Sequence, residues 1–294
     1  MARARFSGTR LATAEDGMSR RRRILFIFLA VFAVIFGYRF IAIYEFRAGE
    51  CHAPQPRVFA STYPGRLVVM VWNVQGHATL LRGEEHITQI ADAIAKIKPD
   101  IVGINEAHRG TWQARFGDHI ETLRRRTGMN GVFGESYDFL GGRFGNAILT
   151  RGTIVKADVH RLPGTGEPRS LLEAVVDVNG GRIEFYVTHL TAWEKFNRAT
   201  RRVQLGCLAN HVRASAHPFI LAGDLNAAPD SPEITEFSAN TVLQAPAHLP
   251  PTHRVMKKQL DYIYADRGWT VVSARVLDIG PSDHRPVVVE LVHQ

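Results

Sequence analysis

Short apolar runs rich in β-branched residues alternate along the chain with stretches whose apolar positions recur every three or four residues. "LVVMVW" at 67–72, "DIVGI" at 100–104, "NAILT" at 146–150 and "PFILA" at 218–222 read as buried strands. "LDYIYA" at 260–265, "TVVSARVL" at 270–277 and "PVVVEL" at 286–291 read the same way. "LLEAVVDV" (171–178) and "RIEFYVT" (182–188) flank Asn-Gly-Gly, which predicts a hairpin. "HITQIADAIAKIK" places isoleucines at 87, 90, 94 and 97, one face of a helix. "WQARFGDHIETLRRR" and "NRATRRVQLGCLANHVRA" predict two further helices. Strands joined partly by helices and partly by hairpins predict an α/β or α+β sandwich with mixed sheets. From residue 66 onward no second linker, repeat or low-complexity block interrupts the pattern.

One apolar run stands apart. Arg20–Arg23 precedes "ILFIFLAVFAVIFGY", and Ile24–Tyr44 spans 21 residues with Arg39 as its single charge. That length crosses a bilayer if Arg39 snorkels to the far interface. No small-x-small cleavage site follows, so the segment reads as a retained anchor, not a signal peptide. The arginines place residues 1–23 in the cytoplasm and everything after the span outside, in the periplasm if the cell is bacterial. Residues 45–65, with three prolines and two glycines, read as a linker. The expected order is a basic cytoplasmic terminus (1–23), a single transmembrane helix (24–44), a linker (45–65) and one outer domain (66–294).

Charge changes the picture only once it is located. The chain of 294 residues carries +8, but residues 1–47 hold nine arginines and three acids, which leaves +2 on residues 48–294. So small an excess argues against an outer domain that merely grips nucleic acid. Cys51 and Cys207 can pair in an oxidising compartment, or Cys207 can be a buried thiol on a stripe with Val203 and Leu208; both readings stay open. No CxxC or Cys/His zinc spacing occurs.

The polar residues at strand ends carry the chemistry. "LVVMVW" runs into Asn73, "DIVGIN" into Glu106, "IEFYVT" into His189 and "PFILAG" into Asp224, with Asn226 two residues on. Asp283 and His284 stand together just before the last strand. Taken singly, each has an ordinary reading as a turn former or rim residue. Together they are carboxylates, amides and imidazoles without a thiolate, a set suited to a hard cation such as Mg²⁺ or Mn²⁺. Such a site can neutralise phosphate charge, activate water and stabilise a leaving oxygen.

The ordered motifs "WNVQ", "DIVGINEA", "GNAILTR", "YVTHL", "AGDLNAAPDSPE", "LDYIYA" and "SDHRPVVVEL" resemble the endonuclease/exonuclease/phosphatase family over roughly residues 66–292. The resemblance implies a four-layer α/β/β/α sandwich with two packed mixed sheets and a site at one sheet edge. It implies metal-site roles for Asn73 and Glu106, with Glu106 the direct ligand. Asp224 matches the acid that aligns or deprotonates the attacking water, Asn226 the amide on the phosphoryl oxygens, and His189 a phosphate-facing histidine. Asp283 and His284 match a dyad in which the acid fixes the imidazole. Asn146 is expected to support substrate binding and Asp261 to stand behind the site.

The implied activity is metal-dependent hydrolysis of a phosphate ester: a phospholipid, a nucleic acid or a small phosphoester. No obligate protein partner is implied. The competing reading is a catalytically inactive family member serving as a membrane-anchored binding module. Trp193 and Phe196 in "HLTAWEKFNRATRR" are candidates for a substrate- or membrane-contacting loop, with an ordinary helix start as the equal alternative.

Overall fold

The computed structural model describes residues 24–27, 29–31, 51, 63–164, 166–192, 197–240, 243–244 and 249–293. The chain separates into two units, residues 1–42 and 43–294. In the first, residues 24–27 and 29–31 are helical and exposed. Among the described residues no helix is long and apolar enough to cross a membrane. Most of the span expected at 24–44, most of the linker at 45–65, and Trp193 and Phe196 lie outside the described residues.

Among the described residues, the second unit is built on two six-stranded sheets. Its strands are β1 (Arg66–Asn73), β2 (Ile101–Arg109), β3 (Asn130–Phe139), β4 (Gly142–Thr150), β5 (Thr153–Leu162) and β6 (Arg169–Val178). They continue as β7 (Gly181–His189), β8 (Phe219–Asp224), β9 (Leu243–Gln244), β10 (Asp261–Asp266), β11 (Trp269–Val276) and β12 (Val287–His293). The longer helices are α1 (Glu85–Ile97), α2 (His119–Thr127), α3 (Arg198–Arg213) and α4 (Pro232–Asn240). The first sheet runs β11-β12-β1-β2-β4-β3 and the second β5-β6-β7-β8-β10-β9. Both are mixed: β1–β2 and β7–β8 are parallel, bridged by α1 and α3 respectively, and the other pairings are antiparallel.

Period-two alternation divides each strand between two cores. On β1, Val69 and Val71 face the second sheet and meet Phe185, Val187 and Ile220, while Met70 and Trp72 face α1. Ile87, Ile90 and Ile94 of α1 fill that outer layer, each contributing about 2 kcal/mol by burial. On the far side Leu205, Leu208 and Val212 of α3 and Phe237 of α4 cover Leu171, Tyr186 and Leu221. The layers therefore run helices, sheet, sheet, helices.

Three differences from the sequence reading have local causes. The single helix expected over "WQARFGDHIETLRRR" is a 3-10 turn (Trp112–Ala114) followed by α2. Asp118 starts α2 by accepting the Ile120 and Glu121 N–H groups, so the chain breaks before it. Strands β3 and β5 escaped the reading because β3 is polar and glycine-containing and β5 is an edge strand with an exposed face. The cysteine alternatives resolve as a disulfide: Cys51 and Cys207 are joined, with Cα atoms 5.3 Å apart.

Candidate active site

The ends of β1, β2, β7 and β8, the start of β10 and the turn before β12 converge at one edge of the paired sheets. Asp224 is at their centre and is 1% exposed. Its Oδ1 accepts the Asn226 N–H at 2.9 Å, and its Oδ2 accepts from Asn73 Nδ2 at 3.1 Å. His189 Nε2 is 3.5 Å and His284 Nε2 3.7 Å from the same Oδ2. Burial pushes the Asp224 carboxyl above the usual carboxylate range, with Asp261 adding to the rise and His284 opposing it. Gly223 beside it has φ +153°, and a Cβ there would overlap the Thr188 carbonyl. Its missing side chain is thus required by the parallel packing of β7 on β8.

Asn73 links the two carboxylates. Its Oδ1 accepts the Gln75 N–H, which turns its Nδ2 toward both Glu106 Oε1 (3.1 Å) and Asp224 Oδ2. Held this way, the amide positions Glu106 by donating to it. Glu106 has φ +59° and lies in a β-bulge where the β2–β4 register shifts between Ile104 and Ala107. His77 Nδ1 is 3.5 Å from its Oε2. Burial opposes ionisation of Glu106, but His77, His189 and Asn73 together hold its carboxyl well below the usual range.

The bulge also explains a residue the sequence reading missed. Asn105, fully buried next to Glu106, accepts the Asp224 N–H at 3.0 Å and donates to Asn146 Oδ1 (2.8 Å) and the Thr188 carbonyl (2.9 Å). Simple alternation turns adjacent side chains to opposite faces, so a reading that chose Glu106 discards Asn105; the extra residue of the bulge lets both serve one site. Asn146 in turn donates to the Ser170 carbonyl at 3.1 Å. Its amide is thus engaged behind Asn105, where it supports the pocket from below. Asn226 has φ +50° and donates from Nδ2 to the Leu190 carbonyl at 2.9 Å.

The carboxylate that holds His284 is Asp261. Its Oδ2 is 2.8 Å from His284 Nδ1. Asp261 opposes Asp224 in the β8–β10 register, which brings both acids to the one imidazole. Asp283, expected to fill this role, is half-buried, and among the described residues its carboxylate lies 3.5 Å from the Ser282 hydroxyl and makes no hydrogen bond to His284. Asp283 lies in a bend of the turn that precedes β12, so its neighbour in sequence is not its partner: the imidazole of His284 is held by Asp261 instead. Ser282 fixes the turn: its hydroxyl donates to the Asn73 carbonyl and accepts the His284 N–H. Burial works against protonating His284, but Asp261 and Asp224 push its pKa up to about 10. Burial and Arg169 drive His189 the other way, well below the ordinary histidine value.

His253 completes the wall. Its ring centroid is 4.6 Å from that of His284. Its Nδ1 accepts the Val255 and Met256 N–H groups, which leaves the proton on Nε2. No periodic or motif signal marks His253 or His77 in the sequence.

The donor set fits a hard divalent cation. Glu106 is held ionised, the paired strands bring the Asp224 and Asp261 carboxylates to the same edge, and among the described residues the buried Asp261 Oδ1 has no hydrogen-bond partner. Both cysteines are committed to the disulfide, so no thiolate competes.

The family described as "Endonuclease/Exonuclease/phosphatase family" matches residues 70–284. Among solved structures, the endonuclease/exonuclease/phosphatase from Beutenbergia cavernae is 26% identical, with a TM-score of 0.66 over 78% of this chain and 72% of that one. The human Nocturnin catalytic domain with bound sulfate is 23% identical, with a TM-score of 0.64 over 80% of this chain and 96% of that one. The Bacteroides thetaiotaomicron mannosyl-6-phosphatase is 18% identical, with a TM-score of 0.63 over 77% of this chain and 99% of that one. The last two are likenesses of fold. A comparison with curated proteins finds no match.

Proposed function

The chain belongs to the endonuclease/exonuclease/phosphatase family, and from that premise we propose that it hydrolyses phosphate esters with a divalent metal and with Asp224 as the residue that takes the proton of the attacking water. The observation that carries this reading is the convergence on Asp224 Oδ2 of Asn73 and two imidazoles, with His284 backed by Asp261. A carboxyl raised by burial is close to the pKa a general base needs near neutrality. His284, kept protonated by Asp261, offers an Nε2 proton and a positive charge to phosphoryl oxygens or to the leaving group. His189, kept neutral by burial, donates or accepts a single hydrogen bond beside it. Glu106 would hold the cation, Mg²⁺ or Mn²⁺, and when bound that ion supplies neutralisation of phosphate charge. Asn226 and Asn105 keep Asp224 in place through its backbone and carboxylate.

The same reading places the enzyme in a membrane with residues 45–294 outside the cytoplasm. The four arginines before Ile24 support that orientation. So does the Cys51–Cys207 disulfide, a bond that persists in oxidising compartments. The deciding experiment is a hydrolysis panel with Mg²⁺ on DNA, RNA, sphingomyelin, glycerophospholipids and phosphomonoesters, repeated in excess chelator. Turnover of one class that chelator abolishes is expected. Full turnover in chelator would remove the metal, and a folded protein inactive on every class would favour the binding module.

A further inference from the structure

A second cluster of ligating side chains lies away from the catalytic residues, on the face of the second sheet that α3 covers. His160 is on the edge strand β5, Glu173 on β6, and His211 in the last turn of α3. His160 opposes Leu171 in the β5–β6 register, so Glu173 is its diagonal neighbour on the same face. His160 Nε2 is 2.9 Å and His211 Nδ1 3.9 Å from one oxygen, Glu173 Oε2. The two imidazole centroids are 4.2 Å apart. All three ligand atoms fall within 4.8 Å of one another, and none belongs to the catalytic group.

We propose that His160, Glu173 and His211 form a second metal site, selective for a borderline transition cation such as Zn²⁺. Glu173 is a buried carboxylate between strands, with an oxygen within reach of both rings. A divalent cation uses the lone pair of each neutral ring and the carboxylate together. Metal–ligand bonds of about 2.0–2.1 Å in a tetrahedral site put neighbouring ligand atoms about 3.3 Å apart, and 2.9 and 3.9 Å bracket that value. Two histidines and a glutamate form a donor set known for zinc, whereas the oxygen-rich catalytic site suits Mg²⁺.

Access and preorganisation fit as well. His160 is 32% exposed while the other two are buried, which gives an entry path and a position for water. Cys207, four residues before His211 and on the same helical face, is bonded to Cys51, so α3 is already fixed one turn away. A bound ion would fasten the end of α3 to the edge of the sheet. The ligands come from three elements 160, 173 and 211 along the chain, a spacing no sequence motif for zinc contains.

Co²⁺ substitution of the full chain in detergent tests this, because a tetrahedral site with two imidazoles gives strong visible d–d bands and an octahedral oxygen site gives weak ones. The wild type and Glu106→Gln should both show the strong bands and retain one equivalent of Zn²⁺ when dialysed against excess Mg²⁺. His160→Gln and His211→Gln should lose the bands and weaken Zn²⁺ binding by about a hundredfold or more. His160→Gln changes a partly exposed edge-strand residue, so its unfolding temperature without metal should match the wild type while the upward shift on adding Zn²⁺ disappears. Absence of strong bands in the wild type, or their survival in His160→Gln, would overturn the site. Because Glu106→Gln disables only the catalytic centre, failure here and failure of the hydrolase reading are separate results.

Discussion

Asp224 is the centre on which the candidate site converges, and its replacement is the sharpest test of the proposed hydrolysis at the residue scale. Asp224→Asn keeps volume and most hydrogen bonds but removes the carboxylate proposed as the base. Turnover should fall about a hundredfold or more with substrate binding retained. A folded variant with near-normal turnover would refute the role. The two aspartates near His284 make a paired test. Asp261→Asn removes both the hydrogen bond at Nδ1 and the largest charge that raises the His284 pKa, whereas Asp283→Asn removes only the smallest of the charges that raise it. Asp261→Asn should therefore cost at least about tenfold more turnover than Asp283→Asn. Because removing an anion lowers an imidazole pKa, the alkaline limb of its pH–rate profile should move to lower pH. Equal profiles for both variants would return the dyad to Asp283.

At the scale of elements, two buried polar clusters hold the site's supports. His108 and His119 brace the segment after β1: His119 Nε2 meets Thr79 Oγ1 at 3.2 Å, and its Nδ1 accepts the His108 N–H. Burial lowers their pKa values from 6.5 to about 4 and about 3. Unfolded histidines take up protons below about pH 6.5 that the folded ones refuse, so their contribution to stability declines as pH falls from 6.5 toward 4. His119→Gln should flatten the fall in unfolding temperature across that window. An unchanged slope would mean that other groups set it. On the opposite face, fully buried Arg201 of α3 donates to Glu233 of α4 at 2.8 Å and to the Thr191 carbonyl at 3.0 Å. Arg201→Met strands a buried carboxylate beside the half-exposed Arg198, and should cost about 3–5 kcal/mol in chemical denaturation. Adding Glu233→Leu should recover most of it.

At the scale of the whole molecule, the proposed topology carries its own prediction. A C-terminal reporter that works only outside the cytoplasm should be active on the full chain, and deleting residues 20–44 should abolish that activity. A reporter active only in the cytoplasm would end the anchored reading. Mild reductant tests the disulfide at the same scale. It closes a loop of 156 residues, and reducing it should cost about 2–5 kcal/mol on chain-entropy grounds. A reduced protein of unchanged stability would make the tether incidental.

What the sequence by itself determined was whatever local periodicity and residue type encode. Strands β1, β2, β7 and β8 were legible from their apolar runs, α1 from its isoleucine spacing, and Asn73, Glu106, His189 and Asp224 from their place at strand ends. Those readings rest on interactions within a few residues, which leave a mark in the chain order. The tertiary structure alone decided which distant groups meet. It paired His284 with Asp261, 23 residues away, and left its neighbour Asp283 aside. It brought Asn105 to Asp224 across 119 residues through a bulge that breaks alternation. It joined Cys51 to Cys207 and gathered His160, Glu173 and His211 under one helix. Such contacts depend on strand order and register between elements, and these are fixed only when the two sheets close on their common core.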